Sequence, residues 1–295
     1  MRRIPLGRRI RYLAEVSGVL VVYGFFWAMP IDWASAVGGF LGRTIGPWLP
    51  MTKRARFNIR LAMPELDDAA VERIVVEMWD NLGRLGGEVP HAPHLDPRDG
   101  SGRIEIVGME HVEGIRKAGA AIVISGHLAN WEVMAVAAHR YGLGLEIIYR
   151  AANNPYMEKF IQSTRHGEML QKGARGARTA IDVLKRGRPL AMMADQKLND
   201  GIPVPFFGRT AMTATSLVDF ARKYQAPVFP AKIERLKGAR FRITLLPPMY
   251  FEAGPDRHAD LAAGMTRVNA MIETWVRDRP GQWLWLHRRW PESPV

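Results

Sequence analysis

The chain of 295 residues is 47% hydrophobic, carries 41 Lys and Arg against 29 Asp and Glu for a formal charge of +12, and contains no cysteine. This size and apolar content allow one large α/β core with a smaller helical addition, and the missing cysteines exclude a disulfide framework, a thiolate metal site and a Cys nucleophile. The cationic excess calls for an anionic partner, and nucleic acid, an anionic membrane face or an acidic carrier protein would each satisfy it.

Arg2, Arg3, Arg8, Arg9 and Arg11 precede an apolar stretch over residues 16–29 that holds Tyr23, Phe25, Phe26 and Trp27. As a helix that stretch reaches about 21 Å, short of a hydrocarbon core about 30 Å thick. Further cations follow at Arg43, Lys53, Arg54, Arg56 and Arg60, so charge bias sets no orientation. The segment reads as a shallow or interfacial membrane anchor, with residues 32–41 as a second contact. A cleaved secretory signal ending at Ala34-Ser35-Ala36 and a buried core helix are the competing readings. The chain stays apolar after Ala36, which argues against cleavage.

A basic helix is expected over residues 53–61. An amphipathic one follows, in which Val71, Ile74, Val75, Met78, Leu82 and Leu85 share a face and Asp67 or Asp68 caps the start. Residues 91–102, with Pro93, Pro97 and the turn signal Asp96-Pro97-Arg98-Asp99-Gly100, read as a loop. The expected organisation is a basic start and anchor over 1–45, a helical subdomain over 46–102 and an α/β catalytic region over 103–295.

From Arg103 onward strands and helices alternate. Strands are expected at 104–107, 120–124, 144–150 and 189–194, separated by helices at 110–117, 131–140, 155–166 and 179–185 with a basic loop before the last of these. A loop over 197–210, a helix over 216–224, strands at 228–234 and 241–246, and a long helix over 261–276 complete the pattern. Such alternation predicts an α/β fold with a mixed, largely parallel central sheet flanked by helices, behind an N-terminal membrane-associated helical segment. In the tail, Trp283, Trp285 and His287 alternate with Leu284 and Leu286, as in a strand that closes the sheet, and Trp290 suits a membrane interface. His287 is read as a structural anchor before a catalytic group.

The chemistry is expected at Gly126-His127-Leu128-Ala129-Asn130-Trp131-Glu132, where an apolar strand gives way to a helix. Along one continuous helix five residues turn through about 500°, which would separate His127 from Glu132. With His127 on the loop and Glu132 in the first helical turn, the carboxylate can fold back toward the imidazole, as a base and its orienter require. Other polar groups cluster at strand ends, where open α/β sheets collect ligands: Arg150 after one strand, Asp195 and Gln196 after another. The run Lys172-Gly173-Ala174-Arg175-Gly176-Ala177-Arg178 offers guanidinium groups and small residues suited to phosphate, and equally suits a solvated basic loop.

The His-x4-Glu segment resembles the motif of the lipid A late acyltransferases, the lauroyl and myristoyl transferase family of the glycerolipid acyltransferase-like superfamily. Further segments stand in that family's order: Ile148-Tyr149-Arg150, Asn154-Pro155, Ala194-Asp195-Gln196, Val204-Pro205-Phe206-Phe207-Gly208, Ala226-Pro227-Val228-Phe229-Pro230 and the ending Gln282-Trp283-Leu284-Trp285-Leu286-His287-Arg288-Arg289-Trp290. Glu132 and Asp195-Gln196 stand where the wider superfamily carries Asp and a Pro-Glu-Gly-type motif, which favours the lipid A branch.

The resemblance implies transfer of a fatty acyl group from a thioester, of acyl carrier protein or coenzyme A, to a hydroxyl of a 3-hydroxyacyl chain on a phosphorylated lipid A precursor. His127 would be the general base and Glu132 its orienter, with no cofactor, no metal and no covalent acyl-enzyme. Asn130 is a candidate oxyanion donor. Arg150, Arg165, Arg178 and Arg209 are candidates for the acceptor's phosphates, and Asp195 and Gln196 for the substrate site. The expected location is the cytoplasmic face of a Gram-negative-type inner membrane, against anionic lipid. A nucleic-acid partner is set aside because no recognition module is present, and a metallohydrolase because no further ligand stands at workable spacing. An acyltransferase acting on a glycerophospholipid or lyso-ornithine lipid precursor is the alternative.

Overall fold

In the computed structural model, which describes residues 5–149, 151–164, 168–171 and 174–293, the chain opens on four helices. These are α1 (Leu6–Trp27), α2 (Ile31–Ile45), α3 (Thr52–Ala62) and α4 (Asp68–Glu88). The helix expected from residue 16 begins at Leu6 instead, so Arg8, Arg9 and Arg11 lie on it. Its 22 residues make it long and apolar enough to cross a membrane, with a length of about 33 Å. Leu6, Ile10, Val21, Val22, Phe25 and Trp27 on α1, and Trp33, Phe40 and Ile45 on α2, are exposed apolar side chains. The start of α4 is capped as the sequence suggests, with the Ala70 N–H donating to Asp67 Oδ1 at 2.7 Å.

Helices α2 and α4 touch backbone to backbone through glycines spaced four apart, Gly38 and Gly42 against Gly83 and Gly87. A Cβ added to Gly83 would come to 2.1 Å from the Gly38 carbonyl oxygen, and one on Gly87 to 2.2 Å from that of Ala34. Small residues at this spacing let helix axes approach closely. Gly83→Leu is therefore expected to destabilise the protein by about 1–3 kcal/mol through overpacking, read as a lower thermal unfolding midpoint; an unchanged midpoint would mean that the helices separate without cost.

The rest of the chain runs β1 (Ile104–Val107), α5 (Met109–Ala118), β2 (Ile122–Ser125), α6 (Glu132–Arg140), β3 (Glu146–Tyr149), α7 (Pro155–Thr164), β4 (Glu168–Gln171), α8 (Ala174–Lys185) and β5 (Leu190–Met193). It continues through β6 (Lys197–Phe206), β7 (Arg209–Thr213), α9 (Ser216–Tyr224), β8 (Val228–Arg235), β9 (Phe241–Leu245) and α10 (Arg257–Asp278). Seven strands form one sheet in the order β1-β9-β8-β2-β5-β3-β4. Every neighbouring pair is parallel except β8 and β9, so the expected mixed, largely parallel sheet flanked by helices is what forms. Its central strands read as continuous apolar runs because helices cover both faces. Ile122, Ile124, Leu190 and Val228 are buried in one core with Ile59 of α3, Val71 and Val75 of α4, and Val268 and Ile272 of α10.

Three local readings differ from the sequence expectation. The basic loop before α8 holds β4, and α8 starts at Ala174 rather than residue 179. The expected loop over 197–210 is a β-hairpin. A two-stranded hairpin outside the main sheet tolerates Pro203 and Pro205 at positions without a ladder donor. Phe207 (φ 53°) and Gly208 (φ 66°) sit between the paired Phe206 and Arg209, the two positive φ values that a tight type I′ connection requires.

The tail is the third difference. It is not a strand, and Trp283, Trp285 and Trp290 are all buried, so Trp290 does not lie at a membrane interface. Arg289 is buried with them over the Phe206 ring at 4.8 Å and donates to the Met212 carbonyl, Thr213 Oγ1 and Asn269 Oδ1. Burial pushes its pKa down to about 10, against the opposing charge of Asp195, so it stays cationic at neutral pH.

Candidate active site

Parallel pairing decides what His127 meets. Strands β2 and β5 are neighbours in register, Ser125 opposite Met193, and two residues beyond those paired positions stand His127 and Asp195. They leave the sheet side by side at its carboxyl edge, where ligand sites of open α/β sheets form. The His127 Nδ1 and Asp195 Oδ1 are 2.8 Å apart. Asp195 Oδ2 accepts from the His127 backbone N–H at 2.7 Å and from the Trp283 indole N–H at 2.8 Å.

The Asp195 side chain is fully buried and that of His127 is 14% exposed. Burial alone would push the Asp195 carboxyl up, but the charge of the His127 ring and the hydrogen bonds from His127 and Trp283 hold it far below the usual carboxylate range. A permanently anionic group behind Nδ1 keeps the proton on that nitrogen and presents Nε2 as the basic one, the division of labour of a His–Asp pair. The carboxylate 2.8 Å from Nδ1 is that of Asp195, while Glu132, the orienter expected from the sequence, starts α6 at the end of the same loop. Asp195, expected in the substrate site, lies buried behind the His127 ring.

The loop carrying His127 is fixed from two sides. The tail holds it through Ala129 N–H to the Gln282 carbonyl at 2.9 Å and Leu284 N–H to the His127 carbonyl at 3.1 Å. Helix α4 holds it through Asn81, whose Nδ2 donates to the Ala129 carbonyl at 3.1 Å, which steadies Ala129 at its positive φ of 47°. Behind it lies a buried cluster: Glu88 pairs with Arg235 and accepts from Ser35 Oγ at 2.6 Å and from Asn130 Nδ2 at 2.8 Å. Asn130 is fully buried in this cluster. Its Nδ2, expected from the sequence as an oxyanion donor, gives one hydrogen to Glu88.

His127 and Glu132 line one cavity of about 820 Å³, with Trp131, Gln196 and His287 beside them. Most of the remaining wall is apolar, with Val19 of α1, Met134 and Val136 of α6, Ile148 of β3, Met157 and Phe160 of α7, and Met192 of β5 among others, and Tyr149, Thr164 and Ser216 between them. A largely apolar cavity with its titratable groups gathered around His127 suits a ligand that is mostly hydrocarbon with one reactive end. Gln196 Nε2 lies 3.0 Å from the Nε2 of both His127 and His287, and the two imidazoles stand 5.4 Å apart edge to face.

Of the expected cationic groups, the two that are described, Arg178 and Arg209, lie apart. Arg178 is exposed on α8, next to Gly176 and Ala177 of the cavity wall. Arg209 is exposed and donates to the Leu61 carbonyl at 2.9 Å; it lines a shallow groove with Lys53, Arg56 and Arg60 rather than the His127 cavity. Arg150, Arg165, Lys172 and Gly173 lie outside the described residues. Sequence reasoning missed Trp283 as a donor to Asp195 and the place of His287 in the cavity. It also missed the Glu88–Arg235 pair, whose members are far apart in the chain and carry no local signal. The Trp and His spacing in the tail was the available clue, read there as a strand.

The chain matches the family model described as bacterial lipid A biosynthesis acyltransferase over residues 7–292. It is 25% identical over 259 residues to the lipid A biosynthesis lauroyltransferase of Escherichia coli (strain K12), covering 83% of this chain and 81% of that protein. It is 25% identical over 272 residues to the palmitoleoyltransferase of the same strain, covering 87% and 85%. With the myristoyltransferase of that strain it shares 24% identity over 292 residues, covering 95% and 87%. A match that runs through α1, the His127 loop and the buried tail leaves little of the chain outside it: the protein belongs to the bacterial lipid A biosynthesis acyltransferase family.

Proposed function

We propose that this acyltransferase moves a fatty acyl group from a thioester, carried by acyl carrier protein or coenzyme A, to a hydroxyl of a 3-hydroxyacyl chain on a phosphorylated lipid A precursor. The observation that carries the reading is His127, held on Nδ1 by the buried Asp195, in a largely apolar cavity of about 820 Å³. The alkyl chain fills the cavity and its thioester carbon lies beside Nε2. His127 takes the proton of the acceptor hydroxyl as oxygen attacks, a step worth on the order of 10² to 10⁴ in rate. When the C–S bond breaks, the same nitrogen returns the proton to the departing thiolate. Asp195 stabilises the imidazolium formed in between.

Glu132, at the start of α6 on the same cavity, adds a second negative charge near that imidazolium. Glu132→Gln is expected to lower turnover about tenfold, or about 1.4 kcal/mol of barrier, while acceptor KM holds; an unchanged rate would remove Glu132 from the catalytic set. Arg178, exposed at the cavity rim, is the described cation best placed for an acceptor phosphate.

The N-terminal helix serves this reaction as an interfacial anchor. Asn154 Nδ2 donates to the Tyr12 carbonyl at 2.9 Å and to Glu15 Oε2 at 3.1 Å, Val19 lines the cavity, Tyr23 packs on Phe160 at 5.1 Å and the Phe26 carbonyl meets His91 Nε2 at 3.0 Å. These contacts run along about 21 Å of helix axis, which favours a helix lying with its outer apolar face in the membrane over one crossing it alone. The anionic lipid surface, the inner membrane and its cytoplasmic face, where acyl thioesters are found, complete the reading.

Mass spectrometry of lipid A from cells lacking the protein tests the acceptor. One missing secondary acyl chain supports the proposal; an unchanged profile with altered glycerophospholipid or ornithine lipid contradicts it.

A further inference from the structure

The reaction leaves one demand unmet, a donor for the negative charge that develops on the thioester oxygen. The usual source, backbone N–H groups of the nucleophile or base loop, is closed here. The N–H of His127 goes to Asp195, that of Leu128 to the Gly126 carbonyl at 2.8 Å, and that of Ala129 to the Gln282 carbonyl at 2.9 Å. Asn130 is turned into the Glu88 cluster.

Gln196 lines the cavity, and its amide nitrogen is 3.0 Å from the basic nitrogen of His127 and 3.0 Å from Nε2 of His287. Its distance of 3.5 Å from His127 Nδ1 puts it over the face of that ring and out of line with the Nε2 lone pair. An amide NH2 has two hydrogens and no lone pair to offer, so one hydrogen goes to His287 Nε2 and the second stays beside the His127 ring.

We propose that Gln196 is the oxyanion donor of this site and that His287 is the positioning residue that aims it; the inference rests on the acyl-transfer reading above. In the free site the second Gln196 N–H stands over the His127 ring and leaves the line of its Nε2 lone pair open to an acceptor hydroxyl. A hydroxyl arriving at Nε2 brings its oxygen beside that N–H. As the new O–C bond forms, the carbonyl π pair moves onto oxygen and the second N–H donates to it. The hydroxyl proton passes to His127 and, as C–S breaks and the carbonyl re-forms, on to the thiolate. Gln196 and His287 exchange no proton.

His287 keeps the other N–H occupied, so the amide cannot turn over and present its carbonyl oxygen to the oxyanion. The ring is well held for this task. Asn58 Nδ2 donates to the carbonyls of Trp285 and His287 at 2.8 and 2.7 Å, and Arg54 donates to that of Leu286 at 3.1 Å, strapping this stretch of tail to α3.

The test is steady-state kinetics of the full-length protein with an acyl carrier protein thioester and a phosphorylated, 3-hydroxyacylated glucosamine disaccharide, with thermal unfolding measured alongside. Gln196→Met, which keeps the shape and loses the donor, should lower kcat by about 10² to 10³ with both KM values nearly unchanged and the unfolding midpoint kept; Gln196→Glu should be at least as poor. His287→Leu should lose at least about tenfold in kcat, and His287→Gln, whose amide oxygen restores an acceptor near Nε2, should recover most of it. Gln196→Met at near wild-type kcat, or His287→Gln no better than His287→Leu, overturns the proposal while the acyl-transfer reading stands. If the wild-type protein transfers no acyl group in this assay, both fall together.

Discussion

Asp195→Asn should lower acyl transfer by on the order of 10⁴, as expected when the partner of a catalytic imidazole loses its charge and the ring takes the wrong tautomer. The amide is nearly isosteric and still accepts from the Trp283 indole through its oxygen, so the fold should persist. Its NH2 would face either the His127 ring or the His127 backbone N–H, both of which now meet the carboxylate. The pH dependence follows from the direction of the shift. Because the Asp195 carboxyl is held below its usual range, its ionised form, and the stability it contributes, are complete above an unfolded-state pKa of about 3.9. That contribution is lost only as pH falls through the lowered folded value. No limb of the rate profile near neutrality therefore belongs to Asp195. A mutant with the wild-type rate and profile would show that the buried pair is structural.

His127→Ala removes the base itself and should cost at least about 10² to 10⁴ in kcat. The acyl cavity and its apolar wall are left in place, so KM for the thioester should change little. Because the two residues act as a unit, the His127→Ala, Asp195→Asn double variant should be no slower than the slower single variant, the non-additivity expected of such a pair. Additive losses would mean that Asp195 contributes by a route that does not pass through the ring.

Much of this architecture is legible in the chain because local patterns carry it. Helix α9 has the bounds that its periodicity predicts, Asp67 caps α4, and the strand-to-helix turn places His127 on a loop. What is not legible depends on register. That Asp195 meets Nδ1 follows from β2 and β5 being adjacent and aligned, a fact about sheet order with no signature within five residues of His127. Asn130 carries a family motif position, yet its environment is set by Glu88 and Arg235. The tail alternates like a strand, but its indoles fill space over the hairpin around Phe206 and Phe207 instead of pairing with the sheet.

The central claim is acyl transfer to a lipid A precursor with His127 as base, and its most direct test is product mass. The purified full-length protein, in vesicles containing anionic lipid, is given an acyl carrier protein thioester and a phosphorylated lipid A precursor with free 3-hydroxyacyl chains. The wild-type protein should yield a precursor heavier by one acyl ester, and His127→Ala only traces of it. An unmodified precursor with the wild-type protein, or equal yield from both proteins, would contradict it.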